Sequence, residues 1–131
     1  MNPIVDEDKK TILVVDDEDS LAIFLEKLLK SEGYNVFTAS NGKEAVEIYK
    51  TNKENIDLVL MDVTMPIMTG LEAHREITQF DPCAPILLMS AYSQDAFEGL
   101  THPHFIQKPM RPTELFESIN LAIEKSAQCN E

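Results

Sequence analysis

The sequence predicts an α/β fold with one parallel five-stranded sheet covered by helices on both faces. Three observations predict it. Short, almost wholly apolar runs recur along the chain, as expected of strands buried on both sides. Each run but the last of them leads into a stretch with apolar residues at helical spacing, and a final such stretch closes the chain. Polar residues end four of the five runs.

The first run, Ile12, Leu13, Val14 and Val15, is continuous and mostly β-branched, and Asp16 and Asp17 end it. A helix is predicted from about Ser20, with Leu21, Phe24, Leu25, Leu28 and Leu29 on one face and Gly33 placed to turn the chain out of it. Residues 35–39 read as a strand with alternating faces, followed by a turn at Asn41 and Gly42. Ala45, Val46, Ile48 and Tyr49 form a second amphipathic stripe. Residues 56–61 are the third strand, ended by Asp62. A loop with Pro66 and Gly70 leads to a helix carrying Leu71, His74 and Ile77 on one face. Residues 86–89 are the fourth strand, introduced by Pro85 and ended by Ser90. A short helix is expected over residues 94–100. Phe105, Ile106 and Gln107 make a brief fifth strand, ended by Lys108 and Pro109. The last helix starts near Pro112, a favoured first-turn position, and turns Leu115, Ile119, Ala122 and Ile123 inward.

Parallel strands joined by helices need right-handed crossovers. The expected fold is therefore a flavodoxin-like (βα)5 three-layer sandwich, strand order 2-1-3-4-5, with a shortened fourth helix. A loosely ordered arm is expected over residues 1–10, the folded domain over residues 11–126, and a tail over residues 127–131.

Composition narrows the function. A chain of 131 residues with 44% apolar content makes one ordinary soluble domain. A net charge of −12 argues against direct nucleic-acid binding and against anionic lipid. No apolar run approaches a membrane span or a signal-peptide core. Cys83 and Cys129 stand in no metal or redox motif. Read as two free thiols, they suggest a reducing, cytoplasmic setting.

In a parallel sheet all strand C-termini lie on one edge, and strands 1, 3, 4 and 5 would be neighbours there. Asp16, Asp17, Asp62, Ser90 and Lys108 therefore converge at one crevice, where ligands of such sheets bind. Three close carboxylates repel unless a cation neutralises them. Mg²⁺, with its preference for oxygen ligands and for bridging carboxylates to phosphate, suits that role; Mn²⁺ is an alternative. Lys108 and Ser90 can each address a phosphate oxygen. The set fits in-line phosphoryl transfer to a carboxylate, catalysed by positioning and electrostatics.

The segments Ile-Leu-Val-Val-Asp16-Asp17-Glu, Asp-Leu-Val-Leu-Met-Asp62-Val-Thr-Met-Pro66 with Gly70, Met-Ser90-Ala91-Tyr and Lys108-Pro109 resemble the response-regulator receiver signature over about residues 10–125. The resemblance implies that Asp62 accepts phosphate from a phosphohistidine on a sensor histidine kinase or a histidine phosphotransfer protein. It implies Asp17, Asp62 and the backbone carbonyl of Thr64 as direct metal ligands, with Asp16 acting through a metal-bound water. Ser90 and Lys108 would contact the phosphoryl group, with Ser90 moving toward it on activation. Phe105, three before the lysine, would be the aromatic switch residue, and the Lys108–Pro109 bond would be cis. Tyr92 and Thr64 stand where they can tune phosphoryl lifetime. Met65 and Met68 are candidate kinase contacts.

The stretch from Ser90 to Lys108 is shorter than in many receivers, and Thr101, His102, Pro103 and His104 stand in place of a small Gly-Ala step. His102 and His104 are expected in an exposed loop, and His74 takes a position that is often aliphatic. Two rival functions are a phosphorylation-independent receiver-like interaction module and a haloacid-dehalogenase-like phosphatase, whose acidic pair would follow rather than precede the nucleophile. Flavin or dinucleotide binding is disfavoured, because the first strand–helix turn is acidic and lacks glycines. The expectation is a stand-alone receiver or a domain from a larger protein such as a hybrid sensor kinase. Its downstream target is not written in the residues.

Overall fold

The computed structural model describes residues 8–91 and 104–129. Five strands, β1 (Thr11–Val15), β2 (Asn35–Ala39), β3 (Leu58–Asp62), β4 (Ile86–Ser90) and β5 (His104–Gln107), form one sheet in the order β2-β1-β3-β4-β5. Every pairing is parallel. The helices among the described residues are α1 (Asp19–Ser31), α2 (Gly42–Asn52), α3 (Gly70–Phe80) and α4 (Pro112–Cys129), with a single 3₁₀ turn at Lys53–Asn55. The helix expected over residues 94–100 lies outside the described residues, so α4 is the last helix of the sequence reading.

The central strands β1, β3 and β4 are buried along their whole length and almost wholly apolar because each has two cores to fill, whereas the edge strands β2 and β5 carry partly exposed polar residues. Successive side chains point to opposite faces. Leu13 and Val15 of β1, Val59 and Met61 of β3, and Leu88 of β4 meet Ala45, Val46 and Tyr49 of α2 and Ala73 and Ile77 of α3. Ile12 and Val14, Leu58 and Leu60, and Leu87 and Met89 meet Leu25 and Leu29 of α1 and Leu115, Ile119 and Ala122 of α4. Burying each such side chain contributes roughly 1.5–3 kcal/mol. Tyr49 is fully buried and stays satisfied because its hydroxyl donates to Asp81 Oδ2 at 2.6 Å.

Local chemistry sets the helix ends. Gly33 follows α1 at φ 102, a conformation that glycine alone adopts without cost. Asn41 Oδ1 accepts from the Glu44 N–H and caps α2. Thr69 and Glu72 form a reciprocal capping box at α3.

Several expectations need correction. Phe24 is 56% exposed rather than inward, because Leu25 and Leu29, flanked by the partly buried Leu21 and Leu28, make the face that packs on the core. Ile56 follows the 3₁₀ turn, and the third strand starts two residues later, at Leu58. His104 opens β5, paired with Leu87, and is half-buried rather than looped out. Cys83 and Cys129 are not free thiols: they form a disulfide, with Cα atoms 5.7 Å apart. The pairing arises because α4 runs back along the sheet to the loop before β4, where Ser126 Oγ also donates to the Cys83 carbonyl. Helix α4 therefore continues through residues 127–129, which were expected to be tail.

Candidate phosphoryl-acceptor site

Four chain segments build the site at the C-terminal edge of the sheet. β1 delivers Asp16 and Asp17, β3 ends on Asp62, β4 ends on Ser90, and Lys108 follows β5 directly. The backbone ties these ends together. Val63 N–H donates to Met89 O at 2.9 Å and Lys108 N–H to Ser90 O at 2.7 Å. The Lys108–Pro109 bond is cis, as the resemblance implied.

Lys108 Nζ stands 3.4 Å from Asp62 Oδ2 and 3.5 Å from Asp16 Oδ2. One carboxylate oxygen from each of Asp16, Asp17 and Asp62 falls within 4.8 Å of the others. Asp16 is buried; its Oδ1 accepts from the Glu18 N–H, which orients it. Its Oδ2 is buried, ion-paired with Lys108 but without a hydrogen-bond partner among the described residues. Asp17 is exposed at the mouth. Asp62 is 8% exposed, and burial foremost pushes its pKa above the ordinary carboxylate value. The Asp16 charge pushes the same way, while Lys108 and the Thr64 N–H oppose both. Ser90 is buried beside this edge, and the side chain of Phe105 packs against the core on the α2–α3 face.

These residues fit a divalent ion. Three carboxylate oxygens converge, Lys108 only partly offsets their charge, and the buried Asp16 Oδ2 has the Lys108 ammonium 3.5 Å away but no hydrogen-bond partner among the described residues. All-oxygen donors match a hard cation such as Mg²⁺.

The loop from β3 to α3 is closely built. Gly70 N–H donates to Val63 O at 2.8 Å, and a Cβ at Gly70 would collide with the Asp62 carbonyl oxygen. Thr64 is exposed in this loop. Met65 is buried in the core and Met68 packs against it, so Met65 presents no contact surface. Ile67 does: it is 78% exposed, at φ 69. Tyr92 and His102 lie outside the described residues.

Sequence reasoning missed a groove of about 500 Å³ beside the site. Leu21, Phe24 and Leu28 of α1 line it together with Met110, Pro112 and Leu115, and Lys108 is also part of its wall. The one signal in the sequence was the width of the apolar stripe on α1, in which Phe24 exceeds the face that packs on the core.

A doubly wound parallel sheet whose crevice sets Lys108 beside three carboxylates has the makings of a phosphoryl-handling domain. The family profile described as the response regulator receiver domain matches residues 12–120. The chemotaxis protein CheY of Thermotoga maritima is 40% identical over 116 residues, covering 85% of this chain and 95% of its own. The chain spans about half the length of the Bacillus subtilis transcriptional regulatory proteins YvrH and PhoP, at 34% and 35% identity. A response regulator receiver domain protein from Clostridium thermocellum superposes with a TM-score of 0.80 at 29% identity, over 92% of this chain and 98% of that one. Response regulator protein TrrA of Thermotoga maritima, solved in complex with Mg²⁺–BeF, gives a TM-score of 0.78 at 36% identity, over 86% and 98%. The chain belongs to the response regulator receiver domain family, the receiver component of two-component signalling systems. Receiver domains are signalling domains rather than metabolic enzymes.

Proposed function

We propose that Asp62 is the phosphoryl acceptor and that Asp16, Asp17, Ser90 and Lys108 are its working partners. The observation that carries this reading is the 3.4 Å approach of Lys108 Nζ to Asp62 Oδ2 inside a cluster of three carboxylates. Asp62 is the nucleophile: one carboxylate oxygen attacks phosphorus in line, and the leaving histidine keeps the bonding pair. Burial strips water from that oxygen and raises its basicity. Lys108 sits where it can meet a phosphoryl oxygen without moving far, and Ser90 lies at the neighbouring strand end to meet another.

Asp17, Asp62 and the Thr64 carbonyl would hold Mg²⁺ or Mn²⁺, with Asp16 acting through a bound water. Such an ion, when bound, neutralises charge that develops on the transferring group. The Mg²⁺ complex of the related TrrA supports this assignment. Once phosphate is bound, Ser90 and Phe105 would shift together and bias a two-state surface; Thr64 and Tyr92 would set how readily water reaches the acyl phosphate.

The donor is a phosphohistidine on a sensor histidine kinase or a histidine phosphotransfer protein. Its imidazole must reach Asp62 in line, so its contact surface must border the pocket. The apolar groove between α1 and α4 meets that condition because Lys108 belongs to both.

Incubation with acetyl phosphate and Mg²⁺ tests the reading. Wild-type protein is expected to gain one hydroxylamine-labile phosphoryl group, Asp62→Asn none, and a chelator should abolish labelling. Equal labelling of wild type and Asp62→Asn would sink it.

A further inference from the structure

We propose that Gly42, on a helix outside the acidic pocket, is a positioning residue for Asp62. The proposal deepens the acceptor reading and rests on it for its effect on phosphoryl transfer.

Gly42 opens α2 and is buried, and its backbone is not in the left-handed region that would call for glycine. Space is what calls for it. A Cβ at this position would stand 2.6 Å from the Met68 carbonyl oxygen and 3.0 Å from both the Thr69 carbonyl oxygen and Met68 Cγ. The Gly42 N–H also donates to Met68 O at 3.2 Å. The first turn of α2 is therefore the wall on which the β3–α3 loop is seated.

From that wall the loop runs to the acceptor without slack. The Thr69 hydroxyl accepts from the Glu72 N–H and locks the start of α3. Gly70 presses on the main chain at the end of β3: a Cβ there would meet the Asp62 carbonyl oxygen and lie 2.9 Å from Val63 Cα. On the other side of Met68, Ile67 sits at φ 69 in a tight turn closed by the Met68 N–H donating to Pro66 O at 2.7 Å. A β-branched residue adopts that backbone only where its surroundings over-determine it. Gly42 supplies part of that constraint from a separate element. A methyl group at position 42 would have to displace backbone, not a flexible side chain. The displacement passes either through Thr69 and Gly70 to Asp62, or into the turn at Ile67.

Three variants of the full chain separate these routes: Gly42→Ala, Ile67→Gly and the double variant. Two quantities are read for each, the backbone amide chemical shifts of residues 62–70 and the initial rate of labelling by acetyl phosphate with Mg²⁺. Gly42→Ala is expected to move the amides of Asp62, Val63 and Thr64 and to slow labelling about tenfold or more, the scale of sub-ångström misplacement of a reacting group. Ile67→Gly lets the turn yield, so the double variant should return the amides toward wild type and recover the rate to within about threefold. A role confined to helix stability would lower the melting temperature of Gly42→Ala with no rescue from position 67, and that result overturns the proposal. So do unmoved amides at residues 62–64 in a folded Gly42→Ala. Should Gly42→Ala alone fail to fold, a folded, labelled double variant upholds the proposal and an unfolded one overturns it. Amides that move and are rescued, in a protein whose wild type takes no label, would uphold the positioning role and remove the acceptor reading instead.

Discussion

Asp62 sits among groups that pull its proton affinity in opposite directions. Burial and the neighbouring Asp16 raise its pKa, and Lys108 with the Thr64 N–H only partly oppose them. A carboxyl with a folded pKa above its unfolded value favours the fold while protonated. Its ionised form weighs against the fold, beginning as pH rises through the ordinary carboxylate value and fully above the raised one. Asp62→Asn is therefore expected to raise the melting temperature at pH 7 in metal-free buffer. The gain should shrink as pH falls and vanish below about pH 4. A variant that melts below wild type at pH 7 would contradict this account of the pocket. Asp16, Asp17, Asp62, Ser90 and Lys108 were legible in the sequence because each ends an apolar run, and a parallel sheet brings all such ends to one edge. Gly42 was legible only as a turn residue: its lack of a Cβ matters through a loop some 26 positions away, which no local pattern encodes.

At the scale of elements, strands read well and helix faces less so. A strand between two cores has no polar face, so its sequence is an unbroken apolar run, as in Leu58–Asp62 up to its final residue. An amphipathic helix can carry apolar residues beyond the stripe that meets the sheet, and Phe24 of α1 is such a residue, turned into the groove. Helix α3 has a different dependence. Its capping box at Thr69 fixes both the helix start and the end of the acceptor loop. Thr69→Ala is expected to cost about 1 kcal/mol in urea unfolding. Unchanged stability would mean that the box does not hold the loop.

Over the whole molecule, the topology followed from the order of runs and the handedness of crossovers, and the sheet order is the one those rules favour. The disulfide did not follow. Cys83 and Cys129 stand 46 positions apart in no motif, and only the return of α4 along the sheet brings them together. That bridge spans β4, β5 and α4, the half of the domain that carries Ser90 and Lys108. Closing a loop of this length stabilises by at most about 4 kcal/mol through the unfolded chain. Reduction by a dithiol should lower the melting temperature, and Cys83→Ser should melt with the reduced protein; equal melting of oxidised and reduced wild type would contradict the bridge. On the proposed reading, a carboxylate oxygen of Asp62 takes the phosphoryl group. Borohydride reduction of the acetyl-phosphate-treated protein, followed by peptide mass mapping, tests it most directly, because the reagent converts an acyl-phosphorylated aspartate to homoserine. Homoserine at position 62 alone is the expected result; homoserine at position 16 or 17, or none under conditions where Mg²⁺ is saturating, would contradict it.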